Sequence, residues 1–162
     1  REIKLKVKHI LEKLGLNYIS KQNVNELSLG QKQLVALAGV LVMEPKYIIF
    51  DEPTTGQDYR GMRDIMNLAT ELNMRGKTVI IITHTLELVA EYVPRTIVMK
   101  DGSIILDGKT DEVLSCVDKL RETYLSPPQV IELYYHLRGL YKFRKVPLTP
   151  EQFAEYLIEN FG

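Results

Sequence analysis

The pattern of apolar and polar residues predicts an alternation of helices and strands. Apolar residues recur at helical spacing over residues 3–14 and 61–74. Short apolar runs rich in β-branched and aromatic residues, at 47–50 and 79–82, are typical of buried strands in a parallel sheet. The helix over 61–74 lies between these two strands, so the order is a β–α–β unit whose strands are expected to be parallel. The predicted fold class is therefore α/β, with parallel strands flanked by helices.

The rest of the chain is predicted to be mainly helical around one β-hairpin. A helix is expected to begin at Ser28, a favourable N-cap residue, and to run to about residue 43. Pro127-Pro128 is interpreted as a linker. The final helix is expected to begin with Thr149 as N-cap and Pro150 at its first position. The other predicted elements are helices over 86–92, 111–117 and 130–141 and hairpin strands over 96–99 and 103–106.

Two adjacent carboxylates, Asp51 and Glu52, directly follow the first apolar strand. In open α/β sheets, ligands bind beyond the carboxyl ends of the strands. Two acids at such a position typically hold a cation or act as a base, because otherwise they repel each other. His84 follows the second strand, so Glu52 and His84 are expected at the same edge of the sheet. The plainer alternative is a strand that ends in two acids by chance.

Three further motifs accompany this strand in a defined order. Residues 27–33 (LSLGQKQ) precede it, residues 53–58 (PTTGQD) follow Glu52, and residues 83–85 (THT) follow the second strand. In these motifs and their order the chain resembles the nucleotide-binding subunits of ABC transporters. The resemblance implies part of a P-loop NTPase domain with a signature motif, a Walker B strand, a D-loop and a switch histidine.

The resemblance also implies a role for each of these residues. Glu52 would accept the proton of the attacking water, and His84 would hydrogen-bond the γ-phosphate. Asp51 would hold Mg²⁺ through water, which suits an ion that keeps much of its hydration shell. Asp58 would lie at the interface with a second ATPase subunit, homologous or identical, and couple the two sites. The implied cofactors are ATP and Mg²⁺.

The signature turn consists of Ser28, Leu29, Gly30 and Gln31. A helix N-terminus presents N–H groups and a positive dipole end to an anion, Ser28 adds a hydroxyl, and Gly30 permits close approach of the backbone. The resemblance implies that this turn contacts ATP held by the opposite subunit, whereas the alternative is a plain serine cap. Two departures from the family pattern are Leu29, in place of a glycine, and Gln57, in place of a leucine. We expect both to leave function intact.

The family's phosphate-binding loop is missing from the sequence. Gly76-Lys77-Thr78 and Gly108-Lys109-Thr110 are near matches without the first glycine, and we interpret both as unrelated to phosphate binding. The chain opens on Arg1, so we expect it to be the C-terminal portion of a polypeptide whose N-terminal segment carries the Walker A and Q-loop segments. The chain alone is then expected to be inactive. Its sheet is expected to lack a central strand, with the gap filled by the missing segment, a swapped copy or a rearrangement.

The resemblance divides the chain into three parts and implies membrane partners. Residues 1–45 would belong to the helical signature subdomain, 46–117 to the RecA-like catalytic core and 118–162 to a C-terminal helical extension. Residues 27–58 and the helix around 134–140 look like the ATPase subunits of cobalt and energy-coupling-factor importers. That similarity implies transmembrane transporter subunits as partners, import of a metal ion or vitamin, and a location at the inner face of the cell membrane.

The charge balance and the cysteine count limit the functions and partners that the chain can have. The chain has 21 basic and 21 acidic residues, which argues against a broad nucleic-acid surface, so no nucleic-acid partner is expected. The single cysteine, Cys116, cannot form an internal disulfide and suits a reducing cytoplasm. Two other functions remain open at this point. One is a soluble ABC ATPase of DNA repair or translation, and the other is a non-catalytic fragment that only completes a partner's ATP site.

Overall fold

The computed structural model describes residues 2–141 and 143–161. The chain divides into two compact units, Arg1–Thr83 and His84–Gly162, and each is described by itself. The boundaries expected after residues 45 and 117 remain a prediction.

The first unit contains the predicted β–α–β unit preceded by two helices. The elements are α1 (Glu2–Lys13), the 3₁₀ helices Asn17–Ile19 and Val24–Glu26, α2 (Leu29–Leu41), β1 (Tyr47–Asp51), α3 (Tyr59–Met74) and β2 (Thr78–Ile82). The two 3₁₀ helices join α1 to α2. Strands β1 and β2 pair in parallel, which confirms the orientation expected from the order of the elements.

The two faces of the β1–β2 sheet differ in burial. On one face Ile48 and Phe50 pack against Leu68 and Leu72 of α3 and Leu41 of α2. The opposite face carries exposed apolar side chains at Ile49, Ile80 and Ile82. Among the described residues this sheet has two strands, β1 and β2. The expected missing central strand, and what would fill its place, stay predictions.

An ion pair between α1 and α3 offers a test of the packing in this unit. Lys13 Nζ lies 2.7 Å from Glu71 Oε1, and Arg75, the C-cap residue of α3, contacts the same oxygen. The hydrogen bond from Lys13, with the charges of Lys13 and Arg75, holds the pKa of Glu71 below its ordinary value of 4.5, so Glu71→Gln removes both pairs. A carboxylate with a lowered pKa contributes stability that is present above the unfolded-state pKa and lost as pH falls through the folded-state pKa. Both partners are partly exposed, so the contribution is about 0.5 kcal/mol.

We therefore expect Glu71→Gln to lower the free energy of unfolding by about 0.5 kcal/mol at pH 7. The difference from wild type should shrink as pH falls below 4.5. Urea unfolding of both proteins at a series of pH values measures this difference. Glu26→Gln, at an exposed glutamate of the same unit, serves as the control. A difference that stayed constant across the acid range would contradict the ion-pair interpretation.

The second unit packs helices and a hairpin around one core. Its described elements are α4 (Leu86–Tyr92), β3 (Arg95–Lys100), β4 (Ser103–Lys109), α5 (Thr110–Leu114), α6 (Val117–Arg121), α7 (Gln129–Leu137) and α8 (Pro150–Phe161). The buried centre of the core includes Leu114, Val117, Leu120 and Ile131, each at most 1% exposed. Strands β3 and β4 pair antiparallel with a bulge between Val98 and Met99.

The structure corrects three predictions in this unit. The helix expected over 111–117 is two short helices, because the Ser115 hydroxyl and the Cys116 N–H bond back to carbonyls of the preceding turn. The helix expected over 130–141 ends at Leu137, shortly before Gly139, a poor helix former. The presumed linker Pro127-Pro128 is buried, and Pro128 is the N-cap residue of α7.

The start of α8 follows the prediction. The Gln152 N–H donates to Thr149 Oγ1 at 3.3 Å, and the Leu148 N–H donates to Gln152 Oε1 at 2.9 Å.

In the described part of the chain, no helix is both long enough and apolar enough to cross a membrane.

Candidate functional site

The carboxyl ends of β1 and β2 bring Glu52 and Thr83 together. Asp51 ends β1 opposite Ile82 of β2. The Glu52 N–H extends the pairing by donating to the Ile82 carbonyl at 2.9 Å. Beyond the strands, Thr83 Oγ1 lies 3.4 Å from Glu52 Oε2 and donates to it. The two predicted acids therefore lie at the strand edge where an α/β sheet binds ligands.

Glu52 adopts an unusual backbone conformation. Its φ is 44°, in the left-handed region that residues with a Cβ rarely occupy. Such a conformation costs roughly 1–3 kcal/mol and occurs preferentially at functional sites. The turn is supported by the bond of the Glu52 N–H to Ile82 and by the Thr55 N–H, which donates to the Glu52 carbonyl at 3.2 Å. This conformation turns the chain sharply at the residue with the predicted catalytic carboxylate.

A cleft of about 260 Å³ lies between α2 and β1. Its lining includes Asp51, Glu52, Gln33 and apolar side chains of both elements, among them Leu37 and Ile49. The pair of carboxylates is thus accessible from a concave surface, as a site for a small ligand requires.

The donor set at this edge suits a hydrated divalent cation. In residues 2–141 and 143–161 no group of three or more His, Cys, Asp and Glu side chains is placed to hold a metal ion. Mg²⁺ does not need such a group, because it is typically bound by one or two carboxylates while retaining several waters. Asp51 is exposed and adjacent to Glu52, so these residues fit that mode of binding.

The predicted signature turn forms a complete capping box at the start of α2. Gln31 N–H donates to Ser28 Oγ at 3.3 Å, and Ser28 N–H donates to Gln31 Oε1 at 2.9 Å. Gln31 Nε2 also donates to the Tyr18 hydroxyl at 3.1 Å. Ser28 was predicted as a cap, but the reciprocal role of Gln31 was missed, although a Ser-x-x-Gln sequence is a recognisable signal for it.

Leu29 and Gly30 are the first two residues of α2. Their N–H groups have no acceptor within the helix, as for any first turn, and are placed to meet an external acceptor. Leu29 is 62% exposed, so its bulk lies at the surface of the turn. The side of Gly30 where a Cβ would project is filled by the side-chain amide of Gln57. The prediction that Gly30 admits a ligand's close approach stays untested.

Asp58 is the N-cap residue of α3. Its Oδ1 accepts from the Gly61 N–H at 2.7 Å. This capping function was not predicted, and the role of Asp58 at an interface between subunits remains a prediction.

His84 is exposed and is the first residue of the second unit. Its position relative to Glu52 therefore also remains a prediction.

Among the near matches to a phosphate loop, Thr110 is 2% exposed and bonds to Thr96 and to the Val93 carbonyl. The Thr110 hydroxyl therefore forms hydrogen bonds inside the second unit.

Comparison with known proteins finds similarity to ABC transporter ATP-binding proteins. The model of the ABC transporter family matches residues 2–55. The chain is 44% identical over 145 residues to the energy-coupling factor transporter ATP-binding protein EcfA2 of Mycoplasma mobile, covering 87% of this chain and 47% of that protein. It is 41% identical over 162 residues to EcfA2 of Clostridium perfringens, and the match covers 98% of this chain and 57% of that protein. The chain thus spans about half the length of the curated relatives it matches.

Solved structures show the same relationship in the fold. CbiO1 of Clostridium perfringens, described as part of the ABC transporter complex CbiONQ, aligns with a TM-score of 0.64 and 41% identity, covering 82% of this chain and 53% of that one. The ADP conformation of MJ1267, an ATP-binding cassette of an ABC transporter, aligns with a TM-score of 0.68 and 36% identity. The alignment covers 76% of this chain and 50% of that one. Over the half of their length that it spans, the chain is therefore similar in sequence and in α/β fold to ABC transporter ATP-binding proteins.

Proposed function

We propose that this chain is part of an ATP-hydrolysing subunit that drives import of a small substrate through transmembrane partners. The observation that carries the proposal is the edge where Glu52, in its left-handed conformation, follows Asp51 and accepts a hydrogen bond from Thr83. A carboxylate fixed at the end of a parallel strand is suited to orient a water for attack on a phosphoryl group.

Each predicted site residue has a distinct task in this proposal. Asp51 holds Mg²⁺ through water, and the ion when bound neutralises phosphate charge. Glu52 accepts the proton of the attacking water at its carboxylate, and the Thr83 hydroxyl orients that carboxylate. His84 donates a hydrogen bond to the γ-phosphate.

The turn Ser28–Gln31 is proposed to contact ATP bound by a second ATPase subunit. The Ser28 oxygen accepts the Gln31 N–H, so its own hydroxyl hydrogen remains available to donate to a phosphate oxygen. The N–H groups of Leu29 and Gly30 and the positive end of the α2 dipole add to the attraction for an anion. Asp58 would lie at the interface between the two ATPase subunits and couple their two ATP sites.

The relatives favour a particular class of transporter. Two are named as energy-coupling factor transporter ATP-binding proteins, and one structural relative is described as part of the CbiONQ complex. We propose by analogy that the chain acts with a second ATPase subunit and with membrane proteins that import a metal ion or a vitamin. Its location would then be the cytoplasmic face of the membrane, held there by those partners.

The proposal predicts where ATP turnover will be found. We expect the full-length gene product to hydrolyse ATP in a Mg²⁺-dependent manner and residues 1–162 alone to show no turnover, because no sequence in them matches a phosphate-binding loop. Release of inorganic phosphate from both proteins, with and without Mg²⁺, measures this.

Two outcomes would contradict parts of this proposal. Mg²⁺-dependent turnover by residues 1–162 would overturn the requirement for an additional segment. Absence of turnover by the full-length product together with its partner ATPase would favour the non-catalytic alternative, in which the chain only completes a partner's site.

A further inference from the structure

Gln57 connects the loop after β1 to helix α2. Its Nε2 donates to Gln33 Oε1 at 2.9 Å, across 24 positions of sequence. Both side chains are half-buried, so the bond is better shielded from water than one on the open surface. Gln57 is also tied into its own loop, because its N–H donates to the Thr54 carbonyl at 3.2 Å.

Two glycines make room for the Gln57 side chain. A Cβ at Gly30 would lie 2.9 Å from Gln57 Nε2, and a Cβ at Gly61 would lie 2.8 Å from Gln57 Oε1. Real Cβ atoms do not approach so closely, so the amide occupies space that a larger residue at these positions would need. Gly30 belongs to α2 and Gly61 to α3, so the amide of Gln57 is enclosed by the N-terminal turns of two helices.

A second contact joins the same two segments. A Cβ at Gly56, whose φ is 74°, would lie 3.1 Å from Leu29 Cδ2. Leu29 therefore rests against the loop that contains Gln57. The two departures from the family pattern, Leu29 and Gln57, thus take part in adjacent contacts between the same turn and the same loop.

We propose that Gln57 is a positioning residue that holds the first turns of α2, including Ser28, against the loop 53–58. Movement of that loop is thereby transmitted to the turn. The consequence for ATP rests on the function proposed above, since the turn is there assigned to nucleotide contact. The positioning itself does not depend on that assignment.

Near-isosteric substitutions test the contact. In the full-length protein without nucleotide, Gln57→Met and Gln33→Met each remove the hydrogen bond with little change in volume. We expect the amides of Gln31 and Lys32 to exchange with solvent roughly threefold to tenfold faster in both variants, as for loss of one intramolecular hydrogen bond. Gln33→Glu keeps an acceptor for Gln57 Nε2 and should preserve the slow exchange. Gln22→Met, at an exposed glutamine of the same unit, is the matched control.

Exchange measured by NMR or mass spectrometry separates the outcomes. Unchanged exchange at Gln31 and Lys32 in Gln57→Met would overturn the proposal. So would an equal acceleration throughout α1, because the effect would then be general destabilisation.

ATP turnover supplies the second readout. The KM for ATP should rise by roughly threefold to tenfold in Gln57→Met with kcat little changed, whereas the Gln22→Met control should retain the wild-type KM. Faster local exchange with an unchanged KM would support the positioning role and contradict the nucleotide role assigned to the turn.

Discussion

Replacement of Glu52 by glutamine is expected to lower the rate of ATP hydrolysis by roughly 10²–10⁴-fold in the full-length protein. Glutamine has nearly the same shape as glutamate but cannot accept a proton from the attacking water. Its carbonyl oxygen can still accept the Thr83 hydroxyl that now lies 3.4 Å from Glu52 Oε2. The loss should therefore fall on kcat, with the KM for ATP changed much less.

The measurement is steady-state phosphate release at saturating Mg²⁺ and ATP. Glu26→Gln, an identical chemical change at an exposed residue of the same unit, should leave the rate within twofold or so of wild type, as surface substitutions usually do. Circular dichroism of both variants checks that the fold is retained. A folded Glu52→Gln protein with nearly wild-type kcat would remove Glu52 from the catalytic role and weaken the whole proposal.

Replacement of Leu120 by alanine is expected to destabilise the second unit by about 3 kcal/mol. The Leu120 side chain is completely buried, at 0% exposure, in the cluster that also contains Leu114, Val117 and Ile131. Truncation to alanine removes buried methyl groups and leaves a cavity that neighbours on several helices cannot all move to fill.

Urea unfolding followed by tyrosine near-ultraviolet circular dichroism measures this loss. The signal reports mainly on the second unit, which contains six of the nine tyrosines: Tyr92, Tyr124, Tyr134, Tyr135, Tyr141 and Tyr156. Leu140→Ala, at a leucine that is 75% exposed, is the control and should change the free energy of unfolding by less than about 0.5 kcal/mol. Equal effects of the two substitutions would contradict the placement of Leu120 at the centre of the core.

Local patterns were sufficient where a single element decides the outcome. Helix α1 ends at Lys13, close to the end of the apolar pattern over residues 3–14, and α2 begins after the Ser28 cap, as the sequence predicts. The parallel pairing of β1 and β2 also follows from the order of the elements. These features depend on side-chain periodicity, capping and chain connectivity, all of which act over short stretches of sequence.

Local patterns failed where competing hydrogen bonds or burial decide the outcome. The apolar periodicity across 111–117 is compatible with one helix, but bonds of Ser115 and Cys116 to the preceding turn interrupt it. The two prolines at 127–128 have the composition of a linker, yet both are buried in the second unit. Burial is a property of the packed chain, so two adjacent prolines alone cannot distinguish a linker from a helix start in a core.

By itself, the sequence determined the α/β class, the two strands over 47–50 and 79–82, and the position of Asp51 and Glu52 directly after the first of them. The tertiary structure alone decided the left-handed backbone of Glu52, its bond from Thr83, and the placement of Gln57 between Gly30 and Gly61. These contacts join residues as far as 31 positions apart in the sequence. Residue propensity and apolar periodicity carry information over only a few turns of the chain. Contacts between residues that are far apart in the sequence form only when helices and strands pack against each other, so they cannot be derived from those local patterns.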